Sequence, residues 1–178
     1  GHHERVEGDR LVLSATCPLW LSSFCSVHYE VEVPRDVAVV ADLDDGRLEV
    51  VGTAGDVTGS SDNGSIVLVG VEGDLVLRGE NGRLEGDGLV ADSVRAETGN
   101  GSVALVFAEA PRTVSAESEN GSVEVRLPEV DGGYRVDLDT DNGSTDLAVA
   151  TDPGSDRIVT ARSHNGDVRV LGPIGGGS

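Results

Sequence analysis

The side chains that could do chemistry in this sequence are mostly carboxylates, with two cysteines and few histidines. The 178 residues include 32 acidic and 13 basic side chains, for a formal net charge of −19. Outside the N-terminal His pair only His28 and His164 occur, and no Gly-x-Ser-x-Gly nucleophile elbow accompanies the serines. We interpret His164 as a solvated turn residue and His28 as an outward strand residue. We therefore expect no catalytic residues, and a protein that is not an enzyme.

The densest run of carboxylates, DLDTDNG at 137–143, begins like a calcium-binding EF-hand loop. It departs from that motif at the sixth position, where Asn142 replaces Gly, and at the twelfth, where Ala148 replaces Glu. We interpret Asp137 and Asp139 as the outward face of a strand. The sequence thus predicts no cofactor and no metal residues, with weak calcium binding at the acidic surface as the alternative.

The two cysteines, Cys17 and Cys25, are eight residues apart in a chain with no other cysteine. This spacing is consistent with a disulfide that closes a short loop, which would indicate an oxidising, extracytoplasmic location. The alternative is a pair of free, buried thiols in a cytosolic protein. A zinc site would need further ligands, and His28 is the sole nearby candidate.

These side chains are positioned by an internal repeat. A two-residue turn unit recurs seven times, at spacings that widen from 18 to 23 residues: Asp45-Gly46, Asn63-Gly64, Asn81-Gly82, Asn100-Gly101, Asn120-Gly121, Asn142-Gly143 and Asn165-Gly166. Residues on both sides of each unit alternate between apolar and polar, which is typical of half-buried strands. Each repeat is therefore predicted to contain a strand, an Asn-Gly corner, a second strand and a second corner. No window of the sequence has helical periodicity.

Two all-β architectures satisfy this pattern. In a β-solenoid of about seven rungs, each repeat is one rung and successive rungs pair in parallel. In an antiparallel meander or sandwich, each Asn-Gly is a hairpin turn. The near-constant corner and the small inward residues before it favour the solenoid, because stacked corners let Asn side chains form a ladder along the axis.

The pattern also suggests boundaries within a single domain. Residues 1–3 have the composition of a tag remnant, and 173–178 that of a linker or tail. Residues 4–40 precede the repeats and include an alternating segment at 27–33, so we interpret them as an N-terminal β cap with a disulfide loop. The solenoid repeats occupy 41–172. No run of 18 apolar residues occurs, so we expect no membrane span in this chain.

The order of these features resembles a known bacterial family. Cys17-Pro18, Cys25, the segment VHYEVEVP at 27–34 and the repeated Asn/Asp-Gly units are similar to the DUF4097 family of adhesin-like envelope domains. The likeness covers roughly residues 10–172. It implies a β-helical repeat domain at the cell surface or envelope, in a native chain that is often anchored to a membrane, with no common active site.

Composition and resemblance together predict a non-catalytic, extracytoplasmic scaffold or protein-interaction module. Its acidic sheet faces would attract a cationic protein or envelope component and would repel nucleic acid. We expect a monomer or a weak, edge-paired homo-oligomer. One alternative function is a self-assembling structural protein that pairs through Val168 and Val170 of an uncapped last rung. Another is a polysaccharide-acting β-helix enzyme using Asp137 and Asp139, with Tyr134 as an outward or edge aromatic.

Overall fold

The computed structural model describes residues 2–7, 10–15 and 28–173, and in this part of the chain all regular structure is β. The chain divides into two compact units, Gly1–Val33 and Pro34–Ser178. In the first unit, β1 (His2–Glu7) and β2 (Arg10–Ala15) form an antiparallel hairpin in which His2 is opposite Ala15. Within the described residues, no helix is long and apolar enough to cross a membrane.

The second unit is a parallel β-solenoid of seven rungs, as the sequence predicts, and the antiparallel meander is wrong. Each rung has one arm before its corner and one after it, and both arms pair only with arms of other rungs. The strands are β3 (Val39–Val51), β4 (Val57–Val69), β5 (Leu75–Asn81), β6 (Leu84–Leu89), β7 (Ser93–Asn100), β8 (Val103–Phe107), β9 (Thr113–Asn120), β10 (Val123–Arg126), β11 (Arg135–Asn142), β12 (Thr145–Ala148), β13 (Ile158–Asn165) and β14 (Val168–Leu171).

We number the rungs 1 to 7 in chain order: 39–51, 57–69, 75–89, 93–107, 113–126, 135–148 and 158–171. The arms before the corners form the pre-corner face, and the arms after them form the post-corner face. Alternate side chains point inward from both arms and fill one continuous apolar core. Val94 and Ala96 of rung 4, for example, are 1% and 0% exposed.

The rungs do not stack in chain order. Rung 7 lies between rung 5 and rung 6, because β13 pairs with both β9 and β11 and β14 pairs with both β10 and β12. Rung 6 is therefore the end of the solenoid. The prediction that Val168 and Val170 lie on the open edge is wrong, since both are 0% exposed inside an interior rung.

Outward charges favour this order of the rungs. Arg162 of rung 7 lies in register between Glu117 of rung 5 and Asp139 of rung 6, whereas stacking in chain order would set Asp139 directly beside Glu117. Like charges directly opposite in a sheet are destabilising, and the observed order avoids this pair. Stacking out of chain order requires long connections, and the loops that flank rung 6 span 127–134 and 149–157.

Two side chains secure these connections. Tyr134 is 0% exposed, and its hydroxyl donates to the Pro128 carbonyl at 2.9 Å. Tyr134 is thus part of the core, and the prediction of an outward or edge aromatic is wrong. Arg157 donates through its guanidinium to the carbonyls of Ala110 and Pro111, at 2.7 and 2.9 Å, which ties the returning chain to rung 5.

The segment before the repeats differs from its prediction. Residues 28–33 belong to no strand, and Tyr29, Val31 and Val33 are each at least 40% exposed. The alternation of apolar and polar residues in this segment is therefore not accompanied by strand structure. Cys17, Cys25 and the tail at 174–178 lie outside the described residues, so the predicted disulfide stays a prediction.

Candidate functional site

A ladder of asparagine side chains runs along the corners. Each corner amide donates to the carboxamide oxygen of the corner in the adjacent rung: Asn81 to Asn63 at 3.1 Å, Asn100 to Asn81 at 2.9 Å, Asn120 to Asn100 at 3.0 Å, Asn165 to Asn120 at 2.9 Å and Asn142 to Asn165 at 3.0 Å. The predicted ladder is thus confirmed, in the spatial rather than the chain order of the rungs. It holds the corners, and hence both faces, in register.

The glycine after each asparagine is required by close stacking. An added Cβ on Gly101 would lie 1.7 Å from the Gly82 carbonyl oxygen, where no side chain fits. Inward hydroxyls before the corner complete the stack, since Ser118 and Ser163 each donate to a neighbouring glycine carbonyl at 2.8 Å. The corner is therefore rigid, and the outward side chains on either side of it have fixed directions.

The pre-corner face carries more negative charge than the post-corner face. Its outward positions hold ten carboxylates and four arginines: Asp42, Asp44, Asp62, Glu80, Glu97, Glu117, Glu119, Asp137, Asp139 and Asp141, with Arg78, Arg95, Arg135 and Arg162. The post-corner face is more balanced, with six carboxylates and four arginines: Glu49, Glu85, Asp87, Glu124, Asp146 and Asp167, with Arg47, Arg83, Arg126 and Arg169.

A groove of about 740 Å³ follows the pre-corner face from rung 2 to the last rung, beside the corners. We call it the acidic groove, and two rows of outward side chains form its walls. The position directly before each corner supplies the outer row, and the position three before the corner supplies the inner row. Because rungs are about 4.8 Å apart, equivalent charges repeat along the groove at that spacing.

The charged side chains of the inner row are largely paired, with one another and with the outward side chains next to them. Glu97 forms ion pairs with Arg95 and, at 3.8 Å, with Arg78. Glu117 is in register with Arg162, which also approaches Asp137 at 2.7 Å. These exposed pairs contribute little to stability, but they cancel charge locally.

The outer row has no such compensation in its centre. Glu80 and Glu119 are exposed and lie in rungs 3 and 5, and Gly99 of rung 4 leaves a gap between them. Two rung spacings place their backbones about 10 Å apart. Among the described residues, the one pair in this row joins His164 Nε2 to Asp141 Oδ2, at 3.2 Å. The gap at Gly99 thus leaves room for a cationic side chain between two exposed carboxylates for which the described residues provide no ion pair.

The pKa of Arg162 reflects the negative charge around the groove. The hydrogen bond from Arg162 to Asp137, together with nearby carboxylates, raises the pKa of that guanidinium above its ordinary value. The arrangement stabilises positive charge, which is what a surface for cationic ligands requires. Within the described residues, no three His, Cys, Asp or Glu side chains are grouped so that they could hold a metal ion. Weak calcium binding therefore stays an untested alternative.

The predicted site residues are distributed as follows. Asp137 and Asp139 are exposed on the outward face of β11, as expected, but in the terminal rung. His28 and His164 are exposed, and His164 lies at the end of strand β13 rather than in a separate loop. The acidic groove was not predicted. Its signal in the sequence is the recurrence of Asp or Glu directly before the corner, as in Asp62, Glu80 and Glu119.

Comparison with known proteins provides no identity for this chain. No family model, no curated protein and no solved structure matches it.

Proposed function

We propose that the chain is a non-catalytic interaction module whose acidic groove binds a cationic protein segment or envelope component. The observation that carries the proposal is the central outer row, where Glu80 and Glu119 face solvent without an arginine partner on either side of Gly99. A solenoid is a rigid support, so binding to its face costs little ordering of the protein.

Charge reversal on the two faces tests this proposal. In the double variant Glu80→Lys/Glu119→Lys, we expect the affinity for a synthetic hexa-arginine peptide to fall by about tenfold, which is about 1.4 kcal/mol. The matched control is Glu49→Lys/Asp87→Lys, which makes the same charge change on the post-corner face. Fluorescence anisotropy at low and moderate salt measures both.

The control distinguishes a specific binding site from electrostatic attraction by the net charge. If the two double variants lose affinity equally, the peptide responds to net charge alone and the groove is not a binding site. A loss confined to the groove variant, with a reduced salt dependence, supports the proposal. Circular dichroism of each variant verifies that the solenoid is intact.

We also propose an extracytoplasmic, envelope-associated location, in line with the DUF4097 resemblance. This part of the proposal is supported by the spacing of Cys17 and Cys25 rather than by the fold. Peptide mapping under non-reducing conditions, on protein recovered from its native envelope fraction, should yield a peptide that contains a Cys17–Cys25 bridge. Two free thiols in that sample would contradict the proposed location.

A further inference from the structure

The last rung in space has an open backbone edge. β11 pairs with β13 and β12 pairs with β14, and on their other side the described residues supply no strand. The Arg135 N–H donates toward rung 7, to the Arg157 carbonyl at 2.8 Å. Because successive residues of a strand direct their backbone groups to alternate sides, the N–H and C=O groups of Val136, Leu138 and Thr140 point to the open edge.

The side chains at this edge form an alternating pattern. Val136 and Leu138 point inward and are partly buried against the end of the core. Asp137, Asp139 and Asp141 point outward and are exposed. An added strand would continue both rows, because side chains on one face of adjacent strands contact each other. It would present apolar side chains to the core and its remaining side chains to the aspartates.

Charge complementarity determines what such a strand must carry. A like edge from a second copy would set aspartates against aspartates. The first rung of a second copy would set Asp42, Asp44 and Glu49 against Asp139, Asp141 and Asp146. Like charges directly opposite in a sheet are destabilising, so the edge disfavours self-association. A strand with lysine or arginine at every second position meets opposite charges instead.

We propose that the β11 edge binds an extended segment of another protein in which basic and apolar residues alternate. The segment adds as one further strand, with its apolar residues on Val136 and Leu138 and its basic residues beside Asp137, Asp139 and Asp141. The backbone ladder supplies affinity, and the alternating rows supply specificity. This site shares Asp139 and Asp141 with the end of the acidic groove. It differs from the centre of the groove, around Glu80 and Glu119, because it requires an extended partner with a free backbone edge.

Amide exchange with a defined probe tests the proposal. The probe is the synthetic peptide Lys-Val-Lys-Val-Lys-Val, and the reporters are the assigned amides of β11 in the intact chain. We expect Val136, Leu138 and Thr140 to exchange at least tenfold more slowly when the peptide is bound. The amides of Asp137 and Asp139 face rung 7, so they should be protected with or without peptide.

Three matched peptides make the test specific. A peptide of the same sequence that is N-methylated on the edge facing β11 keeps the charge but removes the ladder, and we expect at least tenfold weaker binding. A Lys-Lys-Lys-Val-Val-Val peptide removes the alternation, and a Glu-Val-Glu-Val-Glu-Val peptide reverses the charge; both should bind more weakly. Equal affinity for the parent and N-methylated peptides would overturn strand addition.

Protein variants separate this edge from the acidic groove. Asp139→Arg should weaken binding of the alternating peptide at least fivefold. Glu80→Lys/Glu119→Lys should leave the amide exchange pattern of β11 with bound peptide unchanged. If the groove variant instead removes the binding and Asp139→Arg has no effect, the peptide binds the groove and the edge proposal is wrong. Sedimentation velocity without peptide provides a further check, since a dimer that protects the same amides would mean that a second copy occupies the edge.

Discussion

Rungs 6 and 7 have the same Asn-Gly corner and strands of the same length, yet one is the end of the solenoid and the other is inside it. In rung 7, Val168 and Val170 are 0% exposed, whereas their register partners in rung 6 are Thr145 and Leu147, both exposed. The corner therefore specifies that a segment becomes a rung, but it does not specify where that rung lies.

The outward side chains of the two rungs differ in charge. Rung 6 carries Asp137, Asp139, Asp141 and Asp146 on its outward positions, and among the described residues no rung lies beyond it. An edge strand with regularly spaced charges is protected against edge-to-edge association. The same kind of substitution should therefore have different effects at interior and terminal positions.

The largest difference should be at the corner glycines. An added Cβ on Gly101 would lie 1.7 Å from a backbone oxygen, whereas the same atom on Gly46 of the first rung meets nothing within 4 Å. We expect Gly101→Ala to reduce the free energy of unfolding by more than about 4 kcal/mol. Gly46→Ala should cost only about 1–3 kcal/mol, from its positive φ. Urea unfolding measures both, and equal losses would contradict the stacked corner.

A carboxylate introduced at aligned positions of rungs 7 and 6 should give nearly as large a difference in the free energy of unfolding. Val168→Asp places an unpaired carboxylate in the core, and we expect a loss of about 3–5 kcal/mol in the free energy of unfolding. Thr145→Asp, at the register partner, should change it by less than about 0.5 kcal/mol. If Val168→Asp remains as stable as the parent, rung 7 is not interior.

The connection that returns the chain to rung 5 depends on Arg157. Arg157→Ala removes two hydrogen bonds to the carbonyls of Ala110 and Pro111 and leaves those oxygens partly buried. We expect a loss of about 1.5–3 kcal/mol in unfolding free energy. Arg135→Ala, an exposed arginine in the terminal rung, is the control and should be within about 0.5 kcal/mol of the parent. A similar loss in both variants would argue against the anchoring role.

The contact between rungs 6 and 7 at the post-corner side should weaken in acid. The Ser144 hydroxyl and N–H donate to Asp167 at 2.8 and 3.0 Å, and these bonds lower the pKa of Asp167 below its ordinary value of 3.8. A lowered pKa in the folded state gives stability that is present above pH 3.8 and is lost as pH falls through the folded value.

Ser144→Ala should reduce this pH dependence, because it removes the hydroxyl bond and keeps the backbone one. The measurement is the urea midpoint at pH 5 and at pH 2.5 for parent and variant. A parent whose midpoint changes no more than that of the variant would show that Asp167 does not stabilise this contact.

The Asn-Gly corners should also differ in their rate of deamidation, with the smallest effect on stability. Asparagine before glycine deamidates when the glycine nitrogen attacks the side-chain carbonyl and ammonia leaves. In the interior, the N–H groups of Gly101 and Gly121 donate to the next corner at 2.9 Å, which restrains that attack. In the described part of the chain, Gly143 has no such acceptor, so Asn142 should deamidate fastest. Peptide mapping after storage at alkaline pH measures this, and faster loss at Asn100 or Asn120 would contradict it.

Much of the solenoid could be predicted from short-range patterns. The alternation of Val123, Val125 and Leu127 after a corner, and of Val114 and Ala116 before it, indicated the two arms of a rung. The recurrence of Asn-Gly then favoured stacking of like corners. These features are local, because they depend on side-chain direction along a strand and on the steric demands of one turn.

Other features could not be predicted in this way. Tyr134 was expected at the surface, but a loop of 127–134 turns it into the core. The segment at 28–33 alternates without forming a strand, so alternation over six residues was not sufficient to predict one. The carboxylates of the acidic groove are far apart in the sequence, and only the register between rungs sets Glu80 and Glu119 on either side of Gly99.

Local sequence specifies that this chain forms rungs, where each rung turns and which side chains point inward, because those features depend on neighbours a few residues away. The order of the rungs, the identity of the terminal edge and the position of the acidic groove depend instead on contacts between distant segments. Rungs 6 and 7 have the same corner, and only the register between rungs shows that Arg162 fits between Glu117 and Asp139.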